Sequence, residues 1–191
     1  MKYSAYYVEE IDGVFSASIS KLELEKPSDG FVQIQVSCSS LNYKDALSAS
    51  GNKGVTRNYP FVPGIDAAGT ISDANSSNFV EGDEVLVTGY DMGMNTPGGF
   101  GEFINVPANW VVKKPSALTS IEAMSIGTAG LTAAASVLKI KESSQESDLP
   151  VLVSGATGGV GSIGVMLMSK LDKEVTALTG KSSSADFLKS I

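Results

Sequence analysis

Hydrophobic and polar positions alternate in short stretches over the first 120 residues, which is the pattern of half-buried β-strands. The run FVQIQVSC at residues 31–38 shows it most regularly, with an apolar side chain at every second position from Val32 to Cys38. Glycine and proline separate these stretches, and Asp12-Gly13 is a typical two-residue hairpin turn. The predicted strands are residues 3–8, 31–39, 69–72, 83–88 and 103–106. We therefore expect a β-rich, barrel-like module in this part of the chain.

The pattern changes near residue 120, where helical spacing begins. Thr119, followed three residues later by Glu122, resembles a capping box. Helices are predicted over residues 121–126 and 131–140, followed by a polar connector over residues 141–148 and then alternating strands and helices. The chain is thus expected to be mixed α/β, with a first domain at residues 1–124 and a second at residues 125–191.

The sequence VLVSGATGGVGSIGV at residues 151–165 predicts a buried strand, a glycine-dense turn and a helix. Glycines allow the chain to turn sharply and to approach an anion closely, and a diphosphate would bind the free N–H groups at the helix start. A literal G-x-G-x-x-G match begins at Gly159, too far beyond the strand, so the expected register is residues 156–161 with Ala156 replacing the first glycine. A second strand, residues 175–178, follows at the right distance. The alternative is a glycine-rich connector without a ligand.

The tip of that second strand bears on the choice between NAD and NADP. A carboxylate at this point would bind the ribose hydroxyls of NAD, and the sequence Thr179-Gly180-Lys181 contains none. The ammonium group of Lys181 and the neighbouring hydroxyls suit a phosphate, which favours NADPH as the cofactor. A solvated surface lysine is the alternative interpretation.

Composition excludes several function classes. The net charge of −7 makes nucleic acid and anionic membrane poor partners. The absence of histidine excludes Ser-His-Asp catalysis and His-ligated metals, and Cys38 as a single cysteine excludes an internal disulfide. Cys38 is interpreted as a small buried hydrophobic residue rather than a nucleophile. The start lacks a signal-peptide pattern and no apolar run is expected to be long enough to cross a membrane, so a cytoplasmic protein is predicted.

The dinucleotide half offers only two parallel strands before the chain reaches Ile191. An open doubly wound sheet uses about six strands, and two strands leave faces and edges uncovered. We therefore expect the second domain to be a truncated Rossmann domain and the chain to be a fragment.

Five motifs together resemble the zinc-free medium-chain dehydrogenase/reductase family, most closely its YhdH/YhfP group of quinone oxidoreductases and acrylyl-CoA reductases. They are SLNYKDA at residues 40–46, PGIDAAGT at residues 63–70, GGFGE at residues 98–102, GTAGLTA at residues 127–133 and the glycine loop. The resemblance implies a GroES-like β-barrel domain and a Rossmann domain with NADPH between them. It also implies a homodimer and a Rossmann sheet that continues beyond Ile191.

The resemblance also assigns roles to residues. Tyr43, in a loop after a strand, would reach the nicotinamide, and Asn42 and Asp45 fall where zinc-dependent relatives place their first metal ligand and its neighbours. Gly64-Ile65-Asp66 replaces a Gly-His-Glu motif, so no metal is expected. The alternatives are helix caps for Asn42 and Asp45 and a buried turn residue for Asp66.

The remaining implied contacts lie in the second domain. Thr128 and Thr132 would contact the nicotinamide ribose or, alternatively, satisfy a helix terminus. The implied pyrophosphate ligands are Thr157, Gly158, Gly159 and Val160, and the implied 2′-phosphate ligands are Thr179, Gly180 and Lys181.

The predicted activity is hydride transfer from NADPH to a small molecule, either an activated alkene such as an acrylyl-CoA-like thioester or a quinone. Tyr43 and Asn42 are the candidate catalytic residues, with the Tyr43 phenol as donor to the substrate carbonyl oxygen. Backbone N–H groups could serve as well, and Tyr43 could instead have a packing role. Two alternatives are an inactive fragment with weak nucleotide binding and a structural protein that reuses the fold.

Overall fold

The computed structural model describes residues 1–75, 77–143 and 149–191. The described residues divide into two compact units, Met1–Gly127 and Thr128–Ile191. The boundary expected from the sequence, between residues 124 and 125, lies three residues before this division. We call these the first and the second unit.

The first unit begins with a long antiparallel hairpin. Strand β1 (Lys2–Ile11) pairs along its whole length with β2 (Val14–Glu23). The turn residues Asp12 and Gly13 have φ values of 52° and 78°, which a two-residue hairpin turn with this twist requires. The predicted hairpin turn is therefore confirmed, while β2 was not among the predicted strands.

A five-stranded antiparallel sheet is the second sheet described in this unit. Its order is β6-β3-β4-β5-β7. The strands are β3 (Phe31–Cys38), β4 (Asp66–Asp73), β5 (Glu84–Thr88), β6 (Phe103–Pro107) and β7 (Val112–Lys113). Alternate residues such as Val32, Ile34 and Val85 are buried in one core, as the period-2 pattern predicts. Strand β4 starts three residues earlier than predicted and β7 was not predicted.

A short helix, α1 (Tyr43–Ala49), follows β3. Tyr43 is therefore the first helical residue, and the expectation that it lies in a loop is wrong. Seven residues form a helix too short to be stable alone, so its contacts with the rest of the unit must hold it.

Helix α2 (Ser120–Ser143) begins with the predicted capping box. The Thr119 N–H donates to Glu122 Oε2 (2.8 Å), and the Glu122 N–H donates to Thr119 Oγ1 (3.2 Å). The helix breaks at Gly127, which has φ 47° and ψ −158°, so the prediction of two helical segments is confirmed. Residues 141–143 of the predicted connector are helical, and residues 144–148 lie outside the described residues.

The span Ser120–Glu142 is, by length and composition, long and apolar enough to cross a membrane. The expectation that no apolar run reaches this length is therefore wrong. One such helix in the described chain is weak evidence for a membrane span, because a core helix of a soluble protein meets the same criteria of length and composition. The break at Gly127 also leaves no uninterrupted segment of the roughly 20 residues that a spanning helix needs.

The second unit contains the predicted strand–helix–strand arrangement. Strands β8 (Val151–Ser154) and β9 (Val175–Leu178) are parallel. Their residues pair one to one, beginning with Val151 opposite Val175. Helix α3 (Gly159–Lys170) joins them, and α4 (Ala185–Ser190) follows β9. Alternate residues of both strands are exposed, with Leu152 at 65% and Leu178 at 55%.

Candidate functional site

The glycine loop connects β8 to α3 by folding back on itself. Gly155 has a φ of 60°, and its carbonyl oxygen accepts a hydrogen bond from the Gly158 N–H (2.9 Å). A Cβ at Gly161 would overlap that same carbonyl oxygen, so a side chain cannot fit there without moving the loop. The turn thus depends on Gly155 and Gly161 and begins one residue before the expected register at Ala156, which is fully buried.

The first turn of α3 is suited to an anion. Its first bond of the α-helical type described here runs from the Ser162 N–H to the Gly158 carbonyl (2.9 Å), so the amides of residues 159–161 have no acceptor within the helix. Gly158, Gly159 and Val160 are exposed, and the sequence of this turn contains no acidic residue. Free amides and the dipole of a 12-residue helix together favour a diphosphate at this end.

The structure brings Thr157 and Thr179 together, although they are 22 residues apart. Their hydroxyl oxygens lie 3.3 Å from each other, and the Lys181 N–H donates to Thr179 Oγ1 (3.1 Å). Because β8 and β9 are parallel and in register, their carboxyl ends meet at one edge of the sheet. Gly180 and Lys181 are exposed beside this contact. The predicted pyrophosphate and 2′-phosphate ligands thus lie on neighbouring strand ends, and the residues fit a dinucleotide.

An apolar groove of about 470 Å³ adjoins the glycine loop within the second unit. Its lining includes Ala133, Val137, Ile140, Val153, Gly159 and Met168. Thr132, on the same helix, donates its hydroxyl to the Thr128 carbonyl (2.7 Å). The hydroxyl thus bonds the carbonyl one turn earlier in the same helix, and the ribose contact predicted for Thr132 stays a prediction.

A buried polar cluster fixes the start of α1 in the first unit. Asn42 is the N-cap, and its N–H donates to Asp45 Oδ2 (2.7 Å). The other oxygen of Asp45 accepts the Ile65 N–H (3.0 Å). Burial raises the pKa of the Asp45 carboxyl, although the hydrogen bonds from Asn42 and Ile65 oppose the rise. The helix-cap alternative for Asn42 and Asp45 is observed.

Asp66 extends this cluster to β4 and to the break in α2. It is fully buried, and Asn42 Nδ2 donates to its Oδ2 (2.8 Å). A Cβ at Gly127 would lie 2.8 Å from that oxygen and 2.5 Å from Ser40 Oγ. Ser40 donates its hydroxyl to the Met124 carbonyl (2.6 Å), three residues before the break. Sequence reasoning missed the roles of Ser40 and Gly127, because these contacts join residues that are far apart along the chain, such as Ser40 and Met124.

Tyr43, the predicted phenolic donor, is 79% exposed at the start of α1. The side chain of Asn42 donates a hydrogen bond to Asp66. This bond fixes the position of Asn42, which directly precedes Tyr43. The catalytic roles of both residues stay predictions. Among the described residues, no group of three or more His, Cys, Asp or Glu side chains could hold a metal ion.

Comparison with known proteins identifies the class. Residues 28–116 match the alcohol dehydrogenase GroES-like domain. The medium-chain dehydrogenases/reductases combine this domain, a barrel-like first unit and a strand–loop–helix–strand of the kind found in the second unit. The chain belongs to this family. Within the family its close relatives are of the YhdH/YhfP type predicted from the sequence.

Three relatives illustrate this. YhfP of Bacillus subtilis, described as a quinone oxidoreductase, is 45% identical over 86% of this chain and 50% of its own length. The crystal structure of Bacillus subtilis YhfP with NAD bound has a TM-score of 0.93. It is 39% identical, over 100% of this chain and 58% of the solved chain. The acrylyl-CoA reductase AcuI of Ruegeria pomeroyi is 39% identical over 96% of this chain and 56% of its own length. The YhdH oxidoreductase of Salmonella enterica, solved with NADP, has a TM-score of 0.93 at 42% identity and covers 98% of this chain and 58% of its own. This chain therefore spans between one half and three fifths of the length of these relatives.

Proposed function

We propose that this protein is an oxidoreductase that uses NADPH to reduce an activated alkene thioester or a quinone. The observation that carries the proposal is the glycine loop at the start of α3, with exposed amides at residues 159–161 and the Thr157–Thr179 contact beside it. The relatives support the same reading, since their names describe acrylyl-CoA and quinone reduction and their structures hold NADP or NAD.

The preference for NADPH over NADH rests on Lys181. Its ammonium group is exposed at the tip of β9, and it makes no ion pair within the described ranges. An ammonium ion with neighbouring hydroxyls and amides is the chemistry that binds a 2′-phosphate, whereas a carboxylate at this place would bind the unphosphorylated ribose.

Substitution of Lys181 tests this preference. In Lys181→Ala, we expect the dissociation constant for NADPH to rise about tenfold or more and that for NADH to change less than twofold, because only NADPH loses a charge-assisted hydrogen bond. Titration of the nucleotide fluorescence measures both constants. Lys189→Ala, an exposed lysine of α4, is the matched control. An equal loss for both nucleotides would remove the 2′-phosphate assignment.

The first unit supplies the proposed substrate donor. NADPH, when bound, supplies a hydride, and reduction next to a carbonyl group places negative charge on the carbonyl oxygen. A phenol that donates a hydrogen bond to this oxygen stabilises the charge, and Tyr43 is exposed and able to do so. Asn42 and Asp66 would act as positioning residues that hold the start of α1.

Tyr43→Phe tests the donor role. Removing one such donor lowers kcat on the order of 100-fold in comparable sites, with nucleotide binding unchanged. The measurement is NADPH oxidation under saturating substrate. A kcat equal to that of the unaltered protein would show that Tyr43 is not the donor.

The activity itself is tested by NADPH oxidation with acrylyl-CoA and with a simple quinone. Both the 191-residue chain and a chimera that continues it with the C-terminal part of YhfP should be assayed. Turnover by the chimera alone would assign the inactive alternative to the isolated chain. Absence of turnover and of nucleotide binding in both would favour a structural role.

We also propose a cytoplasmic homodimer, and sedimentation of the active form tests the dimer.

A further inference from the structure

Strand β2 has one edge that is paired with β1 and one edge that is open. On the other side of β1, the N–H and the carbonyl of Val8 both bond to the backbone of Phe61 (2.8 Å each), so Val8 directs these groups away from β2. Ala17 lies opposite Val8 and therefore directs its own N–H and carbonyl away from β1. By the same alternation Phe15 and Ile19 also do so. These outward groups have no backbone partner among the described residues.

This open edge lacks the features that usually protect an edge strand. Such strands are commonly short, bulged, charged or interrupted by proline. Strand β2 has ten residues, contains no proline and pairs one to one with β1 without a register shift. Its two charged residues, Lys21 and Glu23, lie towards one end, while Val14 and Ile19 are large apolar residues that are 68% and 72% exposed. The edge is thus able to accept a further strand.

The middle of β2 reads nearly the same in both directions. In the sequence FSASI, residues 15–19, Ala17 has a serine on each side and a large apolar residue beyond each serine. Suppose that two copies of β2 pair antiparallel about a two-fold axis at Ala17. Phe15 of one copy then lies opposite Ile19 of the other, which is an aromatic–β-branched pair of the kind that stabilises sheets. The edge is therefore complementary to itself, as a two-fold symmetric interface requires.

Other positions of the axis fit less well. An axis at Ser16 would place Ile19 opposite Gly13, and an axis at Ser18 would place Phe15 opposite Lys21. An axis between two residues would oppose outward backbone groups to groups that already bond to β1. With the axis at Ala17, every outward residue of one copy meets an outward residue of the other, and each such pair exchanges two N–H···O bonds.

We propose that the open edge of β2 is an interaction surface for a second copy of this chain. The two hairpins join edge to edge about Ala17 into one four-stranded sheet, because each contributes two strands. The contact uses the single open edge of β2 in each copy, so this pairing ends at two copies. A strand edge buries little area, and the association is accordingly weak. The inference goes beyond the proposed function and does not require NADPH binding or turnover.

A charge exchange at the two-fold axis tests the pairing. Ala17 is exposed and lies opposite its own copy, so equal charges there repel and opposite charges attract. In sedimentation of the 191-residue chain over a concentration series, Ala17→Lys and Ala17→Glu should each raise the dimer dissociation constant about tenfold or more. An equimolar mixture of the two variants should associate again. Ala117→Lys, at an exposed alanine outside the hairpin, is the matched control and should change the constant less than twofold. Far-UV circular dichroism checks that each variant keeps its fold.

A disulfide at the axis tests the register. In a Cys38→Ala background, Ala17→Cys places two thiols opposite each other, with Cα atoms about 5.5 Å apart, which a disulfide can bridge. Ile19→Cys is the control, because its copies would be offset by four residues, roughly 13 Å along the strand. Mild oxidation with oxidised glutathione, followed by non-reducing electrophoresis, should therefore link the first variant and not the second. Equal linkage in both would overturn the pairing about Ala17.

The inference and the proposed homodimer can fail separately. An unaltered chain that does not associate would overturn the inference, and so would an association that Ala17→Lys and Ala117→Lys change equally. A dimer of unchanged strength in Ala17→Lys would leave the homodimer standing on another surface and remove the pairing of β2. Association that depends on Ala17 in a protein without NADPH oxidation would support the inference and contradict the oxidoreductase.

Discussion

The two units of this chain are stabilised in different ways. The first unit has a continuous core in which residues such as Ile34, Ile71 and Val106 are almost completely buried. The second unit buries few large side chains among its described residues, and Leu152 and Leu178 of its sheet are more than half exposed. Its loop is instead defined by backbone contacts such as that between Gly158 and Gly155. The first unit therefore depends mainly on the volume of its buried side chains. The loop of the second unit depends instead on glycines, whose lack of side chains leaves room for its backbone contacts.

The proposed binding groups follow the same division. In the first unit they are side chains positioned by buried hydrogen bonds, as Asn42 and Asp45 position the start of α1. In the second unit they are mainly backbone amides at the start of α3, which need glycine around them. The following predictions test this contrast.

The largest effect is expected from a cavity in the first unit. Ile34→Ala removes a side chain that is 1% exposed in an interior strand of the sheet, and such substitutions cost about 2–5 kcal/mol of unfolding free energy. Urea denaturation measures the change. Ile19→Ala, at a position 72% exposed on the hairpin, is the control and should change stability by less than about 0.5 kcal/mol. Similar costs for both would contradict the description of the core.

In the second unit, adding a side chain to the glycine loop should weaken NADPH binding. Gly161→Ala places a methyl group against the Gly155 carbonyl oxygen, so the loop must shift and its amides lose their arrangement. We expect NADPH to bind about tenfold more weakly or worse, a loss of about 1.4 kcal/mol or more. Gly164→Ala is the matched control, because its Cβ would be 3.9 Å from the nearest atom, Val153 Cγ1. Equal binding in the two variants would argue against the loop as the diphosphate site.

The buried carboxyl of Asp45 should give the first unit an unusual dependence on pH. Because its pKa is raised in the folded state, its contribution to stability is fully present below the ordinary value of 3.8 and is lost as pH rises through the raised pKa. Asp45→Asn removes this titration. The stability of the variant relative to the unaltered chain should therefore improve between pH 3.5 and pH 7. Urea denaturation at both pH values measures this, and a relative change in the other direction would contradict the raised pKa.

The smallest effect is expected at Glu122, with the opposite sign. Hydrogen bonds from Thr119 lower the pKa of this exposed carboxyl, so its contribution is present above the ordinary value of 4.5 and is lost as pH falls through the lowered pKa. Glu122→Gln should lower the thermal midpoint slightly at pH 7 and leave it unchanged near pH 2. A difference that persists in acid would indicate that the capping box acts through packing instead of charge.

The second unit could be predicted closely from the sequence. The apolar run of β8, the glycines and the strand β9 all lie where local patterns place them, since each element depends on neighbouring residues. The exceptions are the predicted burial of β8, whose Leu152 is 65% exposed, and the tight turn, which begins at Gly155 and not at Ala156. A positive φ at that position is a property of the backbone path that the motif alone does not specify.

The first unit was predicted less completely, for physical reasons that differ between elements. Strand β2 alternates Phe15, Ala17 and Ile19 with serines, so its period-2 pattern was present in the sequence and was overlooked, although most of the strand is exposed. Helix α1 is only seven residues long and is held by a contact between Asp45 and the distant Ile65. The pair Asn42 and Asp45 has capping-box spacing, which is the one local signal that could have indicated this helix.

The position of β3 inside its sheet, between β4 and β6, has a consequence for how the chain is made. Its two partners, β4 and β6, follow it in the sequence, and Phe31 of β3 pairs with Pro107 of β6. During synthesis β3 therefore leaves the ribosome well before the second strand that protects it. An unpaired β-strand edge of this kind invites aggregation. We expect nascent chains of this protein to engage chaperones at the stage when residues 31–38 have emerged and residues 103–107 have not.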